Sequence, residues 1–122
     1  MDSKRARIQW SPLALAAILL WAAFLRLWNL DATEFKFDEA RVATLAARFV
    51  DTGVPPARGM GASTGVDNPP GAVYLFSLPA LLSRDPWVLS AWVVLLNVAA
   101  VWGCYRFARA HWGIATGLLA AL

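Results

Sequence analysis

The fold class this sequence predicts is an all-α integral membrane protein. It has three transmembrane helices, the start of a fourth, and an amphipathic interfacial helix in the first extracytoplasmic loop. Three observations predict it. The chain is 59% hydrophobic with a mean hydropathy of +0.52. Only 16% of its residues are charged, against about 25% in soluble domains, and the apolar excess is gathered in runs rather than spread by amphipathic patterning. Several of its tryptophans, Trp10, Trp28, Trp87 and Trp112 among them, stand at the ends of those runs, as interfacial aromatics do.

Residues 1–7 read as a cytoplasmic tail, because Lys4, Arg5 and Arg7 precede the first apolar run and basic residues are held inside. Residues 8–28 read as the first span, with Ser11-Pro12 in its first turn, where proline is tolerated. A cleaved signal peptide fits less well. Its apolar region is about 7–15 residues, and further apolar runs follow here. Arg26, one turn from the exit, is either a snorkelling arginine at headgroup level or a cation facing a lipid phosphate.

Residues 29–68 form a polar loop on the extracytoplasmic side. Within it, 38–52 predicts a helix whose Val42, Leu45, Ala46 and Phe49 share one face, with Arg41 and Arg48 on another. Such a helix lies in the membrane interface, apolar face down. Gly53 and Pro55-Pro56 stop it. The stretch 57–66, rich in Gly, Ser and Thr, reads as a flexible loop without a phosphate-binding fingerprint.

Residues 69–83 read as a short second span that must be kinked or shielded, since about 20 residues are typical. Arg84-Asp85-Pro86 reads as a tight turn, 87–105 as the third span, and 113–122 as the start of the fourth. That last run predicts the N-terminal piece of a longer polytopic protein. Counting crossings from a cytoplasmic N-terminus puts Arg84 inside and Arg106 and Arg109 outside, against the positive-inside bias.

Composition excludes several functions. Net charge is +3, yet the bases are scattered, so nucleic acid is not an expected partner; membrane lipids are. The single cysteine, Cys104, forms no internal disulfide and no metal motif, and reads as a packing residue. His111, beside Trp112, reads as interfacial and has no second histidine to share a metal.

The residues that carry chemistry are Phe37-Asp38-Glu39 and Asn68-Pro69-Pro70. Both have structural readings. Asp38 suits an N-cap, Phe37 and Val42 a hydrophobic staple, and Glu39 the first-turn dipole. Asn68 suits a cap with Pro69 at the first helical position. Capping and catalysis are compatible, because a carboxylate at a helix N-terminus is held in orientation.

The order of these pieces adds information. A basic start leads to a helix ending Phe24-Leu25-Arg26-Leu27-Trp28-Asn29-Leu30, then to Phe37-Asp38-Glu39-Ala40, an amphipathic helix, and Asn68-Pro69-Pro70. This resembles the N-terminal region of GT-C-fold membrane glycosyltransferases, such as protein O-mannosyltransferases and lipid A aminoarabinose transferases. Asn68 stands where that family often has histidine, and Gly71 where leucine is common.

The resemblance implies a polyprenyl-phosphate-linked sugar donor and an acceptor hydroxyl at the extracytoplasmic face. It implies Asp38 as the base, and Glu39 orienting the acceptor or helping to bind a divalent cation, the one candidate cofactor. Asn68, Pro69 and Pro70 fall in its second motif and are candidate substrate-binding residues. Arg26 and Arg41 are candidates to hold the donor phosphate, by charge alone. The expected setting is the bacterial inner or plasma membrane, with the remaining helices of the full-length protein as partners. The rival reading is a non-enzymatic segment, part of a transporter or a structural anchor. A transporter carries ionisable residues inside its spans, whereas the acids here sit in the loop.

Overall fold

The computed structural model describes residues 3–28, 36–63 and 65–122. The described chain is helical, with no strand and one isolated antiparallel bridge, Gly61 to Asp67. Five helices follow in order: α1 (Ser3–Leu27), α2 (Phe37–Thr52), α3 (Gly71–Ala80), α4 (Pro86–Trp112) and α5 (Ile114–Ala121). They fall into two compact units, Met1–Asn29 with Val93–Leu122, and Leu30–Trp92.

The first unit joins α1, the larger part of α4, and α5. α1 begins well before the predicted span, so Pro12 lies inside the helix rather than in its first turn. α4 is 27 residues long and apolar enough to cross a membrane. It runs seven residues past Tyr105, where the sequence predicts the span to end. Arg106 to Trp112 carry charge but no Gly or Pro, and charge ends a hydrocarbon crossing without ending a helix. The stop comes at Gly113, whose φ of 91° suits a residue without a Cβ. α5 then packs against α1 and back onto the end of α4. A Cβ on Gly117 would lie 2.9 Å from the Arg109 Cβ and 3.1 Å from the Tyr105 carbonyl oxygen. Tyr105 is buried, whereas Trp21, Phe24, Leu95 and Phe107 point outward. Cys104 is exposed on α4 rather than packed.

The second unit is α2 packed on α3. Ala46, Val73 and Ala80 form its buried centre, flanked by Leu45, Val50 and Phe76. Phe49 meets Tyr74 edge to face at 5.4 Å. The apolar face of α2, expected to lie on the membrane, is therefore covered by α3. α3 carries its own outward leucines, Leu75 and Leu78, followed by Leu81 and Leu82. α3 has 10 residues; at about 1.5 Å per residue it is half the length a crossing takes. It starts at Gly71 with Pro70 as N-cap, so Asn68 is not the cap and Pro69 is not the first helical residue.

The turn at 84–86 is built by Asp85. Its carboxylate accepts from the Trp87 N–H at 2.8 Å, with Pro86 at the first position of α4. The stretch 57–70 is a bonded hairpin-like loop rather than a free one. Gly59 N–H donates to the Asn68 carbonyl at 2.7 Å, Asn68 N–H to Met60 at 2.9 Å, and Ala62 N–H to Val66 at 3.2 Å. Arg58 pairs with Asp67 at 3.3 Å across it.

Candidate functional site

The first turn of α2 brings Asp38, Glu39 and Arg41 together by sequence alone. The N-cap is Lys36, extended at φ −79° and ψ 177°, and no side chain caps the helix. The Ala40 N–H closes the first turn on the Lys36 carbonyl at 3.0 Å. Asp38 is thus the second helical residue, not the cap, and Phe37 is the first helical residue rather than an outside staple. Phe37 is 75% exposed, with the Arg41 guanidinium 6.0 Å above its ring. Asp38 and Glu39 are both exposed. Among the described residues neither makes a hydrogen bond or an ion pair.

Helical spacing sets where these carboxylates lie. Neighbouring residues on a helix do not face each other, whereas residues three and four apart do. Asp38 heads the row of Val42, Leu45 and Phe49. Glu39 heads the row of Ala43, Ala46 and Val50. Both rows run into the face that α3 covers at Ala46 and Val50. The two acids therefore extend an apolar face beyond its packed part, with the helix's positive N-terminal end beneath them.

The other predicted residues stand elsewhere. Asn68 and Pro69 line a groove of about 440 Å³ with Arg58, Val66 and Asp67. Both backbone polar groups of Asn68 are used in the hairpin; its side-chain amide makes no hydrogen bond among the described residues. Pro70 caps α3 through its carbonyl, which accepts from the Tyr74 N–H at 3.1 Å. Arg26 ends α1, in the first unit. One of its terminal nitrogens donates to the Ala22 carbonyl at 3.0 Å, and the guanidinium keeps its remaining donors. It borders an apolar groove of about 560 Å³ with Trp21, Leu25 and Val101.

Polar contacts that sequence reasoning missed hold the second unit. Arg84 donates to Asp51 at 2.6 Å, and the Tyr74 hydroxyl donates to the Pro56 carbonyl at 2.9 Å. Asp51 and Arg84 border a groove of about 370 Å³, lined on α2 by Ala40, Ala43, Thr44 and Ala47. Periodicity signals that small-residue face, but nothing local signals a partner 33 residues away. Among the described residues no three His, Cys, Asp or Glu side chains gather as a metal site. The described residues therefore do not by themselves fit a divalent cation. In comparisons with known protein families, curated proteins and solved structures, nothing matches this chain.

Proposed function

We propose that this chain carries the acidic first loop of a GT-C-type glycosyltransferase of the cell membrane, acting with further helices of a longer protein. The reaction moves a sugar from a polyprenyl-phosphate donor to an acceptor hydroxyl at the extracytoplasmic face. One observation supports it most. Asp38 and Glu39 are exposed on the first turn of α2, without a hydrogen bond or ion pair among the described residues, and Asp38 does not cap the helix. Their remaining structural use is the helix dipole, worth about 0.3–1 kcal/mol. Two unengaged carboxylates beside an apolar face suit a base that meets a lipid-borne substrate.

The chemistry then needs few groups. Asp38 accepts the proton of the acceptor hydroxyl as its oxygen attacks the anomeric carbon. The bond from that carbon to the phosphate oxygen breaks, and the polyprenyl phosphate leaves with the electron pair. Phosphate is a competent leaving group, so no strong acid is required. Glu39 orients the acceptor. Arg41, on the same turn of α2, is the cation offered to the phosphate, where positive charge offsets the charge that develops on departure. Asn68, whose amide makes no hydrogen bond among the described residues, and Pro69-Pro70 are the candidate contacts of the second motif. No step is routed through a metal.

The test is sugar transfer by the full-length protein in membrane vesicles, with a polyprenyl-phosphate sugar as donor. Asp38→Asn is expected to lower turnover by about 10²–10⁴, with the amount of inserted protein unchanged. Glu39→Gln is expected to have a smaller effect. Wild-type turnover in Asp38→Asn overturns the catalytic assignment and leaves the non-enzymatic reading standing.

A further inference from the structure

We infer that the groove between α1, α4 and α5 seats one anionic diacyl phospholipid, with its phosphate on Arg26 and an acyl chain along the groove. The seat lies wholly within the first unit and is independent of the glycosyltransferase reading. Three features point to it: the lining of the groove, the spare donors of Arg26, and the aromatic ladder beside that arginine.

The groove has a volume of about 560 Å³ and is lined by Ala17, Trp21 and Leu25 of α1, Val101 of α4 and Ala121 of α5. That size falls within the range of ligand sites, about 300–1,000 Å³. Along α1 it runs from Ala17 to Arg26, about 14 Å of helix. One leaflet's acyl region is about as deep, at half of a ~30 Å hydrocarbon core. The track therefore needs a single leaflet, whichever one it is. Arg26 is the one charged group among the residues that line it. An apolar track ending in a cation has the polarity of an anionic amphiphile read from tail to head.

Arg26 is exposed, and one of its terminal nitrogens donates to the Ala22 carbonyl at 3.0 Å. That bond folds the guanidinium back along α1 beside the groove. Its other N–H donors remain for phosphate oxygens, which the planar fork suits. The described residues of this unit contain no Asp or Glu, so no carboxylate of the unit competes for the cation. Trp21, Phe24 and Trp28 stand at the same end of α1, at 60%, 44% and 75% exposure. Their rings form a ladder, 5.5 Å between Trp21 and Phe24 and 5.0 Å between Phe24 and Trp28. Exposed tryptophans beside an arginine mark the depth where acyl chains give way to phosphates. A soluble anion would meet Arg26 and leave the apolar track empty. A neutral lipid would fill the track and leave the cation without a counter-charge. An anionic phospholipid satisfies both.

Native mass spectrometry of the full-length protein from mixed micelles tests this, with phosphatidylglycerol as the probe. Phosphatidylcholine, which lacks net charge, and glycerol phosphate, which lacks acyl chains, are the controls. Phosphatidylglycerol is expected to be retained in preference to both. Arg26→Gln is expected to weaken its binding about fivefold, the effect of one base near a phosphate, and Arg26→Lys to keep most of it. Val101→Trp fills the groove and is expected to weaken binding about tenfold, as when two methylenes are kept out of it. Leu95→Trp, at an outward position on α4, is expected to leave binding unchanged, which separates filling from misfolding. Benzoylphenylalanine in place of Trp21 is expected to crosslink to phosphatidylglycerol on irradiation. Equal retention of either control, unchanged binding in Arg26→Gln or Val101→Trp, or the same losses in Arg26→Lys or Leu95→Trp overturn the seat. So does a crosslink to a second copy or to another segment of the chain in place of lipid.

Discussion

Both units bond polar side chains back along their own helices, Thr44, Thr52 and Ser77 doing so in the second, but they differ in how far other polar groups reach. In the first unit, Arg26, Asn97, Arg109 and His111 each bond four residues back along their own helix, and Thr116 of α5 bonds four residues back to the end of α4. In the second, polar groups reach between elements: Tyr74 to Pro56, Arg58 to Asp67 and Arg84 to Asp51. Their apolar residues divide the same way. The second unit has an interior at Ala46, Val73 and Ala80, whereas Leu20, Trp21, Leu95 and Phe107 of the first face outward. Hydrocarbon offers no partner to a polar group, so a helix there must satisfy its own. Water tolerates polar groups at a surface and drives apolar ones together. The first unit holds most of the one described helix long and apolar enough to cross a membrane, whereas the second has an apolar interior of its own.

Breaking the second unit's hairpin is expected to have the largest effect. A Cβ on Gly59 would lie 2.6 Å from the Pro69 carbonyl oxygen and 2.9 Å from that of Asn68. Both are backbone atoms of the hairpin and cannot rotate away. Gly59→Val is expected to destabilise the second unit by about 3 kcal/mol, at the upper end for overpacking. Limited proteolysis between residues 57 and 70 measures it. A cleavage rate equal to wild type shows that the 59–68 pairing does not hold the loop.

Next in size is a pair of truncations that sets interior against exterior. Val73 is fully buried between α2 and α3. Val73→Ala is expected to cost about 2 kcal/mol, from lost transfer energy and the cavity left behind. Leu20 is 71% exposed, and Leu20→Ala is expected to change stability by less than about 0.5 kcal/mol. Denaturant titration of the detergent-solubilised protein compares them. Equal costs remove the distinction between a core-bearing unit and one that relies on its surroundings.

What the sequence made legible follows the range of each signal. Periodicity and length located the helices, because both are local. Gly53 marked the end of α2, where a left-handed φ favours the residue without a Cβ, whereas Gly113, which ends α4 in the same way, was read only as the start of the next run. Cap positions were less legible. Asp38 reads as an N-cap and Asp85 as part of a tight turn, yet Asp85 is the one of the two that caps a helix. Pro86 fixes the helix start beside Asp85, whereas nothing stops Phe37 from joining the helix before Asp38. The covering of α2 by α3 was not legible either. An amphipathic face announces that something apolar will meet it, without saying whether lipid or another helix does. Of the candidate site, the acids on the first turn of α2 were readable from sequence. The hairpin that carries Asn68 was not, because its bonds join residues four to nine apart without alternating hydrophobicity.

The smallest expected effect sharpens the comparison most, because it concerns a single contact on the second unit. Asp51 and Arg84 approach to 2.6 Å, yet their side chains are 65% and 44% exposed. Exposed pairs contribute about 0.2–1 kcal/mol, even with good geometry. A double-mutant cycle with Asp51→Asn and Arg84→Gln is therefore expected to give a coupling in that range. It should shrink between low salt and about 1 M salt, where the Debye length falls to about 3 Å. A coupling well above 1 kcal/mol that ignores salt would mean the pair is shielded from water in the folded protein.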